Sequence, residues 1–151
     1  ITGQTRESLG DIVENGQITY IVENLKHSEI EELYIHHDIV IVVSEHEGLG
    51  LSFFEAMKYN CLIATVDYAP HNQIVKHDVN GWLMDATEIE TKHNPHPLVK
   101  SASVNVDGMI EWFQQMNSIE RVVLEKMRRR AHQYNMDTFG TQKFIQRWEN
   151  L

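Results

Sequence analysis

Short apolar runs alternate with helical spacings along this chain, the pattern of a parallel sheet flanked by helices. Ile18-Thr19-Tyr20-Ile21-Val22 is β-branched and aromatic and reads as a strand. Ser28, with Glu31 three residues on, reads as a capping box opening a helix that carries Ile30, Leu33 and Tyr34 on one face. Ile39-Val40-Ile41-Val42-Val43 is apolar without alternation, as strands covered on both faces are. It predicts a strand in the middle of the sheet. Glu45 to Leu51 reads as a loop with Gly48 and Gly50, and a helix follows to Tyr59. Leu62-Ile63-Ala64-Thr65-Val66 is a second buried strand. Pro70 opens a short helix through Lys76, and Asn80-Gly81 turns the chain into Trp82-Leu83-Met84.

The pattern dissolves from Asp85 to Asn105, where Pro95 and Pro97 flank His96, and this stretch reads as a long surface loop or insertion. Three helices then close the chain. Val106, Met109, Ile110, Phe113 and Met116 mark the inner face of the first. Ser118 is expected to cap the second, which carries Val122, Val123, Met127 and Ala131. Thr138 is expected to cap the third, with Phe144, Ile145 and Trp148 inward. The whole predicts one α/β domain over 1–151, Rossmann-like, with three layers and a parallel sheet.

Composition narrows the function. With 151 residues, 42% hydrophobic and 23% charged, the chain has the make-up of a globular protein. Its formal charge of −9 repels phosphate backbones, so no nucleic-acid partner is expected. Arg128-Arg129-Arg130 is the one dense basic run, and its place late in a helix suggests a complement to the carbonyl end of the dipole. Cys61 is the sole cysteine, which excludes an internal disulfide and fits a reducing, cytoplasmic setting, peripheral to a membrane at most. Cys61, Trp82 and Trp112 read as core. No apolar run is long enough to predict a membrane span. The start at Ile1-Thr2-Gly3, with neither Met nor a signal pattern, reads as a piece of something longer.

The chemistry concentrates in Ser44-Glu45-His46-Glu47-Gly48-Leu49-Gly50-Leu51-Ser52-Phe53-Phe54-Glu55. In a doubly wound sheet, ligands bind beyond the carboxyl ends of the strands, where this loop falls. Two glycines allow close backbone approach, and the amino end of the following helix offers free N–H groups to an anion. Glu47 and Glu55 would repel a lone phosphate but accept from hydroxyls. A ligand with both groups, a nucleotide sugar, reconciles the two demands. On spacing alone, a tight turn with solvated glutamates fits equally well.

The run resembles the E-x7-E motif of retaining glycosyltransferases of the GT-B fold, above all the family 4-like, group 1 enzymes. Glu47 and Glu55 stand at the two glutamates, with Gly48-Leu49-Gly50-Leu51 at the glycine-rich stretch. The Phe54-Glu55-Ala56-Met57 helix, Cys61-Leu62-Ile63-Ala64-Thr65, Asn80-Gly81-Trp82-Leu83 and Ser28 to Tyr34 are similar in order and spacing, so the likeness covers Ile18 to Met84. The resemblance implies the C-terminal, donor-binding half of such an enzyme, a hexosyltransferase using a UDP- or GDP-sugar without a metal or other cofactor. Glu55 would then bond the ribose hydroxyls, and Glu47 the donor sugar, as the catalytic-site carboxylate. The amides of Gly48, Leu49, Gly50 and Leu51 would hold sugar and diphosphate, and Val22 to Leu25 would lie near the base. A glycan, lipid or protein acceptor would sit on an N-terminal domain absent from this chain, and the basic side chains that stabilise the leaving group on an earlier strand and loop of the same donor-binding domain, before Ile1. The fragment alone is therefore expected to bind donor weakly and transfer nothing.

The sequence departs from the family at Ala69-Pro70-His71-Asn72-Gln73-Ile74-Val75, where a glycine pair and then Glu-Ile-Val are usual, and in the stretch from Asp85 to Asn105. Other readings are a nucleotide-sugar 2-epimerase, which shares the fold, and a non-catalytic interaction module. His93 and His96 are closely spaced, but nothing completes a tetrahedral metal set. His46 could touch the donor or simply face solvent.

Overall fold

The computed structural model describes Ile21, residues 24–89 and residues 101–149, apart from the side chain of Phe144. The expected strand at Ile18–Val22 falls outside these residues except for Ile21, as do His93, His96 and, in part, the expected base contacts at Val22 to Leu25. The chain divides into two compact units, Ile1–Leu33 and Tyr34–Leu151.

Helix α1 (His27–His36) crosses that division. It begins one residue before Ser28, which therefore lies inside its first turn and is not its cap. Glu29 supplies the return half of a capping box instead, accepting from the Lys26 N–H at 2.7 Å. Lys26 has no acceptor to complete the box.

In the second unit, β1 (Ile39–Val42), α2 (Leu51–Lys58), β2 (Leu62–Val66), α3 (His71–Ile74) and β3 (Gly81–Met84) follow one another as strand–helix crossovers. The strands pair in parallel in the order β1-β2-β3. Among the described strands the central place belongs to β2, while β1 lies at an edge with Ile41 exposed. All five residues of β2 are buried, as a continuous β-branched run flanked on both faces requires. Side chains alternate across a strand. Leu62 and Ala64 accordingly enter one core with Trp82, Met84, Trp112, Leu124 and Ala131. Ile63 enters the other with Phe53, Ala56, Met57, Cys61 and Val75. The result is the expected three-layer α/β arrangement, with α2 and α3 on one face of the sheet and α4 (Val106–Asn117) and α5 (Arg121–Phe139) on the other.

Cys61, Trp82 and Trp112 are core residues as expected. Asn80 is also fully buried, and both ends of its amide are hydrogen-bonded. It accepts from the Lys76 N–H at 2.6 Å and donates to the Ile74 carbonyl at 3.2 Å and to Asn135 Oδ1 at 2.9 Å. A buried amide without these partners would cost stability, so Asn80 and Asn135 together lock the α3–β3 connection to α5.

Several expectations are corrected on the helical side. The stretch from Asp85 to Asn105 is not structureless: β4 (Ala86–Ile89) and β5 (Ser101–Val104) pair as an antiparallel ribbon at its two ends. Their short, weakly apolar sequences hide the strand period. In α4 the buried face is Trp112 with Met109 and Met116, and Val106, Ile110 and Phe113 are exposed. Trp112 sets the face because it stacks edge-on against Trp82 at 5.6 Å. Ser118 closes α4 rather than opening α5, its hydroxyl donating to the Gln115 carbonyl at 2.7 Å. In α5, Leu124 replaces Val122 and Val123 on the inner face. Thr138 lies within α5, which ends at Gly140 before α6 (Thr141–Glu149), where Ile145 and Trp148 are exposed.

The basic run is corrected as well. Arg128 sits in the middle of α5, not at its carbonyl end, and ties the fold together. It pairs with Asp38 at 2.8 Å and Glu125 at 3.3 Å and donates to the Asn60 carbonyl at 3.0 Å. Arg130 donates to the Asp78 carbonyl at 3.1 Å. No helix among the described residues is long and apolar enough to cross a membrane.

Candidate functional site

The loop between β1 and α2 leaves the carboxyl edge of the parallel sheet, where doubly wound domains bind ligands. Its last residue, Gly50, is the N-cap of α2 in the left-handed region, with φ of 64°. A Cβ there would stand 2.8 Å from Phe53 Cδ2, so both dihedral and space demand glycine. Gly48 differs: nothing lies within 4 Å of where its Cβ would be. The space beside it is open.

A glycine cap leaves α2 without a side-chain acceptor at its amino end. The Phe53 N–H turns back to the Gly50 carbonyl at 3.0 Å, whereas those of Leu51 and Ser52 find no partner among the described residues. Two unpaired amides and the positive end of the helix dipole therefore face the loop.

Glu47 folds back over that loop. Its Oε1 accepts from the Gly48 and Gly50 N–H groups, each at 3.1 Å, and its Oε2 accepts from the Ser44 hydroxyl at 3.3 Å. A carboxylate has about four lone-pair sites. Three are taken, which leaves Oε2 room for one further donor. Of the amides the sequence assigned to a ligand, those of Gly48 and Gly50 are thus engaged by Glu47. Leu49 and Leu51 are strongly exposed.

Glu55 lies on the next turn of α2, half-buried, and accepts from the Tyr34 hydroxyl at 3.1 Å. Tyr34 in turn stacks on Tyr59, ring centroids 5.8 Å apart. Burial, then the hydrogen bond to Glu55 and its charge, push the Tyr34 phenol up to about 12. A raised value means that the folded chain favours the neutral phenol. The stability this contributes is fully present below the unfolded value of about 10 and is lost as pH rises towards 12. Denaturation midpoints followed through that alkaline window should fall more steeply for the native chain than for Tyr34→Phe. Equal slopes would show that the Tyr34–Glu55 pair contributes nothing to folding.

Two features at this edge escaped the sequence reading. The β4–β5 ribbon is fastened to the motif loop, since the Ala102 N–H donates to the Glu45 carbonyl at 3.0 Å. It also meets the loop after β2, where the Tyr68 hydroxyl donates to Glu88 at 2.8 Å. The second feature is His71 at the start of α3, buried beside Thr65 and Phe53. The only signal for either in the sequence was the departure from the family pattern at these same two places.

Two cavities lie outside the Glu47–Leu51 loop. One of about 320 Å³ is lined by Phe54, Met57, Lys58, Asn135, Met136, Phe139, Gly140 and Thr141. Another of about 290 Å³ is lined by Asn60, Glu125, Arg128, Arg129 and His132. Neither holds Glu47 or Glu55. No group of three or more potential metal ligands occurs among the described residues.

Comparison with known proteins gives the family. Residues 3–94, more than half of the chain, match the family described as Glycosyl transferases group 1. No curated protein matches the chain. Among solved structures it is similar to the C-terminal domain of a glycosyl transferase group 1 family protein, LpcC, from Francisella tularensis. The TM-score is 0.55 at 21% identity, covering 82% of this chain and 53% of that one. It is also similar to a GtfA/B complex, with a TM-score of 0.57 at 17% identity over 92% of this chain and 25% of that one. The chain thus spans about half the length of the first and a quarter of the second. This chain belongs to the glycosyl transferases group 1 family, and its α/β fold is that of a GT-B C-terminal domain.

Proposed function

We propose that this chain binds a nucleoside diphosphate sugar at the amino end of α2 and forms the donor half of a retaining hexosyltransferase. The observation that carries the reading is the uncapped start of that helix, with Glu47 and Glu55 on the two sides of it in sequence. Free N–H groups at Leu51 and Ser52 suit the diphosphate, whose charge the helix dipole favours. Glu55, half-buried and held by Tyr34, suits the ribose diol. Glu47, with one acceptor site left on Oε2, suits one hydroxyl of the sugar.

This division modifies the simplest expectation. The Gly48 and Gly50 amides serve to hold Glu47 in place, and the phosphates take the amides one and two residues further on. Stabilisation of charge on the departing nucleoside diphosphate would come from the helix terminus together with basic groups on another part of the full enzyme. The donor could be a UDP- or GDP-sugar, needs no metal in this scheme, and passes its sugar to an acceptor on a second domain.

Calorimetry of the chain with UDP-, GDP- and ADP-glucose and GDP-mannose tests the reading. At least one should bind, with Kd on the order of a millimolar or tighter. Binding by none of them would refute it.

A further inference from the structure

Strands β1 and β2 are adjacent and parallel, so the loops after Val42 and Val66 leave the sheet side by side. The first carries Glu47. The second delivers His71, which is only 2% exposed. Its ring meets Phe53 edge-on, centroids 5.5 Å apart, and Phe53 is the side chain that packs against Gly50. Glu47 and His46 are the titratable groups whose fields reach the ring.

Counting protons assigns its tautomer. The Thr65 hydroxyl has one hydrogen, donated to the Val42 carbonyl at 2.7 Å. Its oxygen lies 3.2 Å from His71 Nδ1, so that contact closes only if Nδ1 carries a proton and donates. In the neutral ring, Nε2 is then a bare lone pair. It is buried and has no partner among the described residues. Native interiors rarely leave a buried polar atom unpaired, and such atoms call for an explanation. Burial also lowers the pKa of the imidazole, with His46 acting the same way and Glu47 opposing, so the ring stays neutral near pH 7.

We propose that His71 Nε2 accepts a hydrogen bond from a hydroxyl of the transferred sugar, which makes His71 a specificity-determining residue of the donor site. The proposal rests on the nucleotide-sugar reading above. An acceptor needs a ligand that donates. The diphosphate offers no donor and the ribose hydroxyls are met by Glu55; of the donors that remain, base N–H groups and sugar hydroxyls, those of the sugar are the ones assigned to the neighbourhood of Glu47. Nε2 is buried, so its surroundings must adjust as ligand enters, and Gly48, with open space around it, gives the neighbouring Glu47 loop freedom to do so.

His71→Asn keeps an N–H for Thr65 and removes the acceptor at the Nε2 position. His71→Gln extends an amide oxygen towards it. Calorimetry of both variants should compare each nucleoside diphosphate with its sugar conjugate: UDP with UDP-glucose, GDP with GDP-mannose and ADP with ADP-glucose. For whichever pair the native chain binds, His71→Asn is expected to leave affinity for the bare diphosphate unchanged and weaken the conjugate about tenfold, as for one lost hydrogen bond. His71→Gln should restore much of the difference. A merely structural histidine would lower both affinities together, and that result overturns the proposal. Should either variant fail to fold, the imidazole nitrogen resonances of the native chain decide. The Nε2 signal should move with the conjugate and not with the diphosphate, while a shift to the protonated form overturns the acceptor role. If Glu55→Ala abolishes diphosphate binding while His71→Asn leaves the conjugate-to-diphosphate ratio intact, the donor site stands and this assignment falls. No binding to the native chain removes both.

Discussion

Glu55→Ala is expected to weaken binding of a nucleoside diphosphate about a hundredfold and to leave the fold in place. A ribose diol presents two hydroxyls to one carboxylate, and hydrogen bonds to a charged acceptor contribute about 1.5–3 kcal/mol each. A hundredfold corresponds to about 2.7 kcal/mol, within reach of that pair. Glu55 is placed for this role by its half-buried position on α2 and by the Tyr34 hydroxyl at 3.1 Å, which takes up one of its acceptor sites and holds the side chain. Stability should change little. The lost Tyr34 bond is worth about 1 kcal/mol, and alanine is the better helix former by a few tenths. Calorimetry with UDP, GDP and ADP beside urea midpoints separates the two effects. Native-like affinity in Glu55→Ala would mean that the ribose is held elsewhere.

Gly81→Ala is expected to do the opposite, weakening the fold itself. Gly81 opens β3 and pairs with Ile63 in the central strand, and a Cβ there would run into the Ile63 carbonyl. Backbone of a buried strand cannot step aside as a flexible side chain does, and Val75 Cγ1, 3.0 Å away, closes the other direction. A loss of more than about 3 kcal/mol follows, a large part of the roughly 5–15 kcal/mol that keeps a domain of ordinary stability folded. Gly48→Ala is the control, because nothing surrounds that position. Its urea midpoint should match that of the native chain. A Gly81→Ala protein that melts like the native one would show that β2 and β3 are not packed as described.

The strands that carry the sheet were legible because their chemistry is local. Ile39–Val42 and Leu62–Val66 lie in short, largely β-branched runs without polar alternation, and each forms the expected strand. The motif loop was legible for a related reason: glycine at 50 marks a left-handed cap that few other residues tolerate. The helical faces were less so. Val106, Ile110 and Phe113 share a stripe as convincing as that of Met109, Trp112 and Met116, and only the edge-on contact of Trp112 with Trp82 selects between them. Ser118 and Thr138 are good capping residues that the chain uses at or before a helix end. The paired residues Asn80 and Asn135 lie far apart in sequence, and no pattern along the chain announces such a contact.

At the site the same division holds. Residue types announced carboxylates and glycines, but not that Glu47 would spend three of its lone pairs on its own loop. Nor could they announce that the weakly patterned stretch beginning at Asp85 would return as β5 and fasten to Glu45. Both depend on three-dimensional closure. Glu47 is therefore a poorer acceptor, and a better-fixed one, than a free side chain.

If a sugar nucleotide seats at the amino end of α2, the backbone amides there must respond to it. Backbone amide resonances of the isotopically labelled chain, titrated with UDP-glucose and with GDP-mannose, test this directly. One of the two should shift the N–H signals of Leu51 and Ser52 most, with those of Gly48, Leu49, Gly50 and Glu55 close behind. Signals that move only around the cavity lined by Arg129 and His132, or that do not move at all, would contradict the account.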